Sequence, residues 1–221
     1  MDQIIPPSFL FDYSMTIARR DELPGDGPRL PQLSDQDTLF VPARLNETPV
    51  PRVRMAWNPN GLAVEVRVRG RRMPVHGRWS FPLISDVVHL FVNTRHRQDV
   101  QRATSFCSTM VIFPVDEESD GKPRVEFRNM VQSATGESGK GGKAFRLRVD
   151  QHDDGYEIGV WLPGTMIAGF SEVEESGEIG FSLSVEDTEL GKIPFDIGGD
   201  FPTQWNPSLW IPLQLSARSS E

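Results

Sequence analysis

Five tryptophans punctuate this 221-residue chain, and two of them stand outside any regular apolar run. Trp79 falls among Pro74, Gly77 and Pro82, and Trp205 lies between Pro202 and Pro207. Trp57 and Trp161 sit within alternating strands and read as core. A loop tryptophan can stack on the apolar face of a sugar ring while neighbouring polar side chains read the hydroxyls. The same ring can instead plug one end of a β-sandwich, and composition alone favours the plug. The polar residues in position to read hydroxyls are His89, Asp86, Asn93 and Gln204. His89 is the polar interruption in Ser85-Asp-Val-Val-His-Leu-Phe-Val-Asn93, a β-branched and aromatic run read as a central strand. Pleating sends His89 and Phe91 to one face and Val88, Leu90 and Val92 to the other. A single polar residue on such a face forms either the floor of a cleft or a satisfied core histidine.

Other chemistry finds no arrangement of residues to carry it. His76, His89, His96 and His152 show no metal-ligand spacing, and the acidic residues cluster in turns where solvation explains them. No Gly-x-Ser-x-Gly or Cys/His pattern is present, so the chain reads as non-enzymatic. The loop 136–143 carries glycines and lysines but no phosphate-loop register and no following helix. Cys107 is the single cysteine, which excludes an internal disulfide and a cysteine-based zinc site. Its apolar surroundings predict a buried, inert thiol. Two acidic turns, 116–121 and 150–155, carry oxygen ligands for calcium but not the spacing of a calcium loop, so they read as hairpin turns.

The net charge of −8 is unevenly spread. Between positions 44 and 102 lie eleven arginines and four acidic residues, a segment of about +7 in a remainder of about −15. Within it Glu65, Arg67, Arg69 and Arg71 alternate with valines, as on the solvated face of a strand. That alternation, without interleaved aromatics, argues against nucleic-acid binding. The N-terminal residues lack the basic region and long apolar core of a secretory signal, and no apolar run has the length of a membrane span. The expectation is a soluble chain with nothing in it that directs export, its location otherwise open.

Nineteen glycines and eighteen prolines suit many strands joined by turns. Alternating runs over 53–57, 62–69, 85–93, 106–113, 124–132, 145–149, 156–162, 179–185 and 209–215 predict strands, with an interrupted candidate at 39–45. The segment 163–170 can hold one helical turn, and 172–178 reads as a solvated acidic loop. The pattern predicts an all-β fold, a single-domain antiparallel sandwich. Residues 1–52 form an arm with short edge strands laid on the domain, 53–215 the sandwich, and 216–221 a tail.

Several pieces, in order, resemble the family 9 carbohydrate-binding modules and their DOMON-like relatives. Val53-Arg-Met-Ala-Trp57 with Leu62-Ala-Val-Glu-Val-Arg-Val68 is similar to the family's first hairpin, and Asp86-Val-Val-His-Leu-Phe-Val-Asn93 to its Asp-Ser-Val-Glu-Ile-Phe-Val-Asp strand. Gly155-Tyr-Glu-Ile158 through Leu162-Pro163, Ile179-Gly-Phe-Ser-Leu-Ser-Val-Glu-Asp187 and Trp205-Asn-Pro-Ser-Leu-Trp-Ile-Pro-Leu-Gln-Leu215 look like its later segments. The resemblance covers about 53–215. It implies a jelly-roll-like β-sandwich that holds a mono- or oligosaccharide between two tryptophans, often with structural calcium. By motif position Trp205 stands for one of those tryptophans and Trp79 for the other, with Trp79 farther from Asp86 than the pattern places it. His89 replaces the family's sugar-contacting glutamate, and the opening Asp-Gly-x-x-Asp-x-x-Trp is missing.

The reading is therefore a non-catalytic carbohydrate-binding domain. Trp79 and Trp205 are its platforms, and His89, Asp86, Asn93 and Gln204 its hydroxyl readers. The alternative is a diverged sandwich without sugar binding, acting as a protein interaction or scaffold domain whose segment 44–102 meets an acidic partner.

Overall fold

The computed structural model describes residues 14–27, 29–40, 51–130, 145–195 and 201–216. The loop 136–143, most of the strand candidate at 39–45 and nearly all of the tail lie outside them. Among the described residues eleven strands follow one another, with short helical turns between some of them: β1 Met15–Arg19, β2 Arg52–Asn58, β3 Gly61–Arg69, β4 Val87–Asn93, β5 Cys107–Asp116 and β6 Lys122–Asn129. They continue as β7 Arg146–His152, β8 Gly155–Pro163, β9 Glu178–Asp187, β10 Gly191–Pro194 and β11 Ile211–Leu215. Among the described residues the one α-helix is Val173–Ser176, where an acidic loop was expected; buried Val173 ties that turn to the core.

The hydrogen-bonded order is β6-β5-β4-β9-β11-β1-β2-β3-β8-β7, with β10 also on β9. Two sheets face each other, and alternate residues of each fill the space between them. Val88, Leu90 and Val92 of β4, Met110 and Ile112 of β5 and Phe181, Leu183 and Val185 of β9 meet Met55, Val64, Val66, Ile158 and Val160 of the opposite sheet in one apolar core. Phe127 at the β6 end and Phe145 at the β7 end approach to 6.0 Å between ring centres, closing one side of the sandwich.

The N-terminal arm does more than the sequence suggests. β1 is not an edge strand: it lies parallel to both β11 and β2 and so joins the two sheets, with Ile17 in the core. Downstream, Leu23, Leu30 and Leu33 cover Ala56, Ala63 and Trp161 on the outer face of β2, β3 and β8. Burial of each leucine contributes about 1.5–3 kcal/mol. Of the expected strand at 39–45 only Leu39 and Phe40 are described; just before them Thr38 makes an isolated bridge with Arg54.

That covered face corrects the reading of the Glu65 alternation. Glu65 and Glu157 are buried, not solvated, and Arg54 and Arg148 are nearly so. Arg54 and Arg148 both bond to Glu65, Arg148 also donates to Glu157 at 2.7 Å, and the Leu33 amide donates to Glu65 at 3.3 Å. Arg148 reaches Glu65 because Gly159 lies between them in the sheet. A Cβ there would stand 3.4 Å from the guanidinium, tighter than ordinary contact. A charge was legible at each position; the arm that buries them was not. We expect Glu65→Ala to lower stability by about 3 kcal/mol, since it removes the buried carboxylate that two enclosed guanidiniums share and leaves Arg54 to Asp35 and Arg148 to Glu157. Urea denaturation measures this, and a loss below about 1 kcal/mol contradicts a buried network.

Candidate functional site

The outer face of β9-β4-β5-β6 has a different character. His89 lies directly across from Ser184 on β9 and Val111 on β5, and Phe91 from Ser182 and Thr109. The same rows continue to Glu126 and Arg128 on β6. Phe91 is buried under Trp210, with ring centres 5.7 Å apart, and His89 stacks parallel to Phe91 at 6.3 Å. The His89 side chain remains 21% exposed, on the floor of this face. Glu186, two residues past Ser184, brings its Oε2 to 3.8 Å from His89 Nε2, an electrostatic contact longer than a hydrogen bond. His89 is the largest influence holding the Glu186 carboxyl below its ordinary 4.5; partial burial opposes it, and Gln204 and Lys192 assist.

Gln204 comes from the last loop, whose own geometry presents Trp205. Trp210 Nε1 donates to the Thr203 carbonyl at 2.7 Å, and the Asn206 side chain accepts from the Ser208 amide at 3.1 Å. These bonds turn the chain so that Trp210 enters the core while Trp205 stays 73% exposed. Gln204 lies near enough to Glu186 to help hold its carboxyl down, on the same face as His89.

Trp79 is delivered by the loop 70–86, which is stitched down along its length. Asp116 accepts from the Trp79 amide at 3.2 Å, Glu118 from the Ser80 hydroxyl at 2.9 Å, and Glu117 from Arg78 at 2.8 Å. Gly77 permits the close approach: a Cβ there would fall 2.1 Å from the Val115 carbonyl oxygen. The Trp79 ring meets Phe113 with ring centres 5.1 Å apart and the Arg124 guanidinium at 3.7 Å. Phe113 shares the face of Val111, so Trp79 lies over β5 and β6 whereas Gln204 and Glu186 lie at β9. The two loops thus approach one face from opposite sides of β4.

Of the six residues singled out from sequence, His89 and Gln204 converge on Glu186, Trp205 follows Gln204 in the chain, and Trp79 flanks the same face. Asp86 and Asn93 do not join them. Asp86 is fully buried and its carboxylate is engaged by the protein: Arg71 at 3.0 Å, the His76 amide at 2.7 Å, and the Thr188 amide and hydroxyl at 2.7 and 2.8 Å. Asn93 is buried, and its side-chain oxygen accepts from the Arg95 amide at 3.0 Å. Both carry strand ends and loops, not ligand. Sequence reasoning missed Glu186, Arg124 and Arg128. The signal for Glu186 was its outward place in the alternation after Ser182 and Ser184.

Among the described residues, 51–102 present no open basic patch. Eight of the eleven arginines in 44–102 have a carboxylate partner, Arg71 being enclosed between Asp86 and Asp187. Cys107 is buried as expected, and desolvation pushes its thiol up. The acidic turn at Asp116 does not fit calcium, because its carboxylate already accepts from the Trp79 and Glu118 amides and the Ser119 hydroxyl. Among the described residues no three His, Cys, Asp or Glu side chains converge to hold a metal. A polar cavity of about 270 Å³ lies at the other end of β9, between His96, Arg97, Glu178 and Gln214.

No family model matches the chain, and no curated protein matches it. Solved structures do. A family 9 carbohydrate-binding module from Caldicellulosiruptor kristjanssonii in complex with glucose is 17% identical, covers 94% of this chain and 97% of its own, and superposes with a TM-score of 0.58. A family 9 module from the same organism in complex with cellotriose is 19% identical over 77% of this chain and 76% of that one, with a TM-score of 0.49. At this identity the likeness concerns the fold, which is the β-sandwich of a family 9 carbohydrate-binding module.

Proposed function

We propose that this chain is a non-catalytic carbohydrate-binding domain whose site is the outer face of β9-β4-β5-β6. The observation that carries the reading is Trp205, a large aromatic left 73% exposed and next in the chain to Gln204, which helps hold the Glu186 carboxyl down. Exposing an indole to water is unfavourable unless its face meets a ligand, and a sugar ring offers a matching apolar face. His89, Glu186 and Gln204 supply both donors and acceptors for hydroxyls, and Trp79, its ring held between Phe113 and Arg124, walls the face across β4. A fold shared with a module in complex with glucose supports the same reading. The domain is read as binding without turnover.

Trp205→Ala should abolish saturable heat in a calorimetric titration with soluble mono- and oligosaccharides, while changing stability by no more than about 0.5 kcal/mol. Sugar binding that survives the substitution contradicts the assignment.

Glu186 gives a pH test. Its folded-state pKa lies below 4.5, so its contribution to stability is complete above that value and is lost as pH falls through the lower, folded-state value. Melting temperature should therefore fall less steeply with acid in Glu186→Gln than in the wild-type chain. Identical slopes in the two contradict the His89–Glu186 contact.

A further inference from the structure

Charge on the proposed face is not evenly placed. At β6, Arg124 and Arg128 leave 42% of their side chains exposed. Their carboxylate neighbours are sunk beneath them: Asp116 is fully buried and Glu126 is 12% exposed. Solvent at this side of the face therefore meets guanidinium, although the whole chain carries −8. Both cations retain donor capacity. Arg124 stands 3.6 Å from Asp116, beyond hydrogen-bond length, and Arg128 bonds to Glu126 through Nε. Arg124 is also held against the Trp79 ring at 3.7 Å, which fixes its plane before any ligand arrives. At β9 the character is opposite, with the acceptor Glu186, whose side chain is 34% exposed, near Gln204, the residue before Trp205.

From this polarity we infer that the site takes an acidic oligosaccharide. A sugar ring lies on Trp205 with its hydroxyls at His89, Glu186 and Gln204, and the carboxylate of a uronic acid unit meets Arg124 and Arg128. The inference rests on the carbohydrate-binding reading and specifies its ligand class. A planar carboxylate matches the paired N–H groups of a guanidinium in a way that a neutral hydroxymethyl does not. The span agrees as well. From β9 to β6 is three strand spacings, about 14 Å, longer than a single ring and within the reach of a short oligomer.

The test is calorimetric titration at low ionic strength with trigalacturonate and triglucuronate, with the methyl esters of each, and with cellotriose. The esters keep the carbon skeleton and remove the charge. We expect at least one acid form to bind about tenfold or more tightly than its ester, with the advantage shrinking in high salt. Arg128→Gln, which leaves the Trp79–Arg124 contact in place, should remove most of that advantage, and Arg124→Gln the remainder, both variants staying folded by circular dichroism. Acid and ester binding equally, or cellotriose alone binding, overturns the acidic-ligand inference and leaves carbohydrate binding standing. Absence of heat with every sugar overturns both.

Discussion

The candidate site depends on a buried ion cluster that touches no solvent. Arg71 enters the protein at the start of the loop 70–86 and lies between Asp86 and Asp187, with all three side chains at most 1% exposed. Asp86 stands immediately before the strand that carries His89, and Asp187 immediately after Glu186. One guanidinium thus fixes the root of the Trp79 loop to the two strands that make the floor. The arrangement is costly to assemble, because each charge must leave water, and the guanidinium, together with neighbouring amides and the Thr188 hydroxyl, offsets part of that cost. Asp86 accepts from His76 and Thr188, and Asp187 from the Glu189 and Leu190 amides at 3.0 and 2.8 Å. Tyr156 packs beside Arg71 at 6.0 Å, and burial raises its hydroxyl well above the usual phenol range.

The two outer faces of the sandwich then part ways. The face of β2, β3, β8 and β7 is covered by the arm, and its charges are consumed in the Arg54–Glu65–Arg148–Glu157 network. The face of β9, β4, β5 and β6 is walled by loops at its sides and, among the described residues, leaves His89, Val111, Thr109, Glu186 and the arginines of β6 at least partly open. Both faces carry arginine and glutamate in alternation. What separates them is whether another segment of chain lies on top. A binding surface arises here from the covering of its counterpart as much as from its own residues.

This distinction bounds what the sequence could reveal. The two faces of β4 were legible because pleating fixes them locally: Val88, Leu90 and Val92 are core, and His89 and Phe91 lie opposite. The place of Trp205 in a loop was legible from its flanking prolines, but its exposure was not, because composition alone favoured a buried end plug. The burial of Glu65 was not, since alternation marks the outside of a sheet whether or not an arm lies over it. Asp86 and Asn93 looked like ligand readers because they are polar ends of an apolar strand, and strand ends are also where loops demand buried hydrogen-bond acceptors. Arg71 was indistinguishable from its solvated neighbour Arg72, because its partners come from elsewhere in the chain. Glu186 was within reach of the strand pattern, whereas its meeting with His89 required the pairing of β4 with β9.

The central claim is that buried charge, not the loop's own structure, holds the Trp79 loop against the binding face. Hydrogen exchange of Arg71→Met against the wild-type chain tests it most directly. The substitution strips the counter-charge from two enclosed carboxylates while keeping an apolar side chain of similar length. The account predicts faster exchange first at the amides of His76, Arg78 and Trp79, which bond to Asp86, Ser85 and Asp116, with the strands of the opposite sheet keeping their protection. Unchanged protection of those three amides would contradict it.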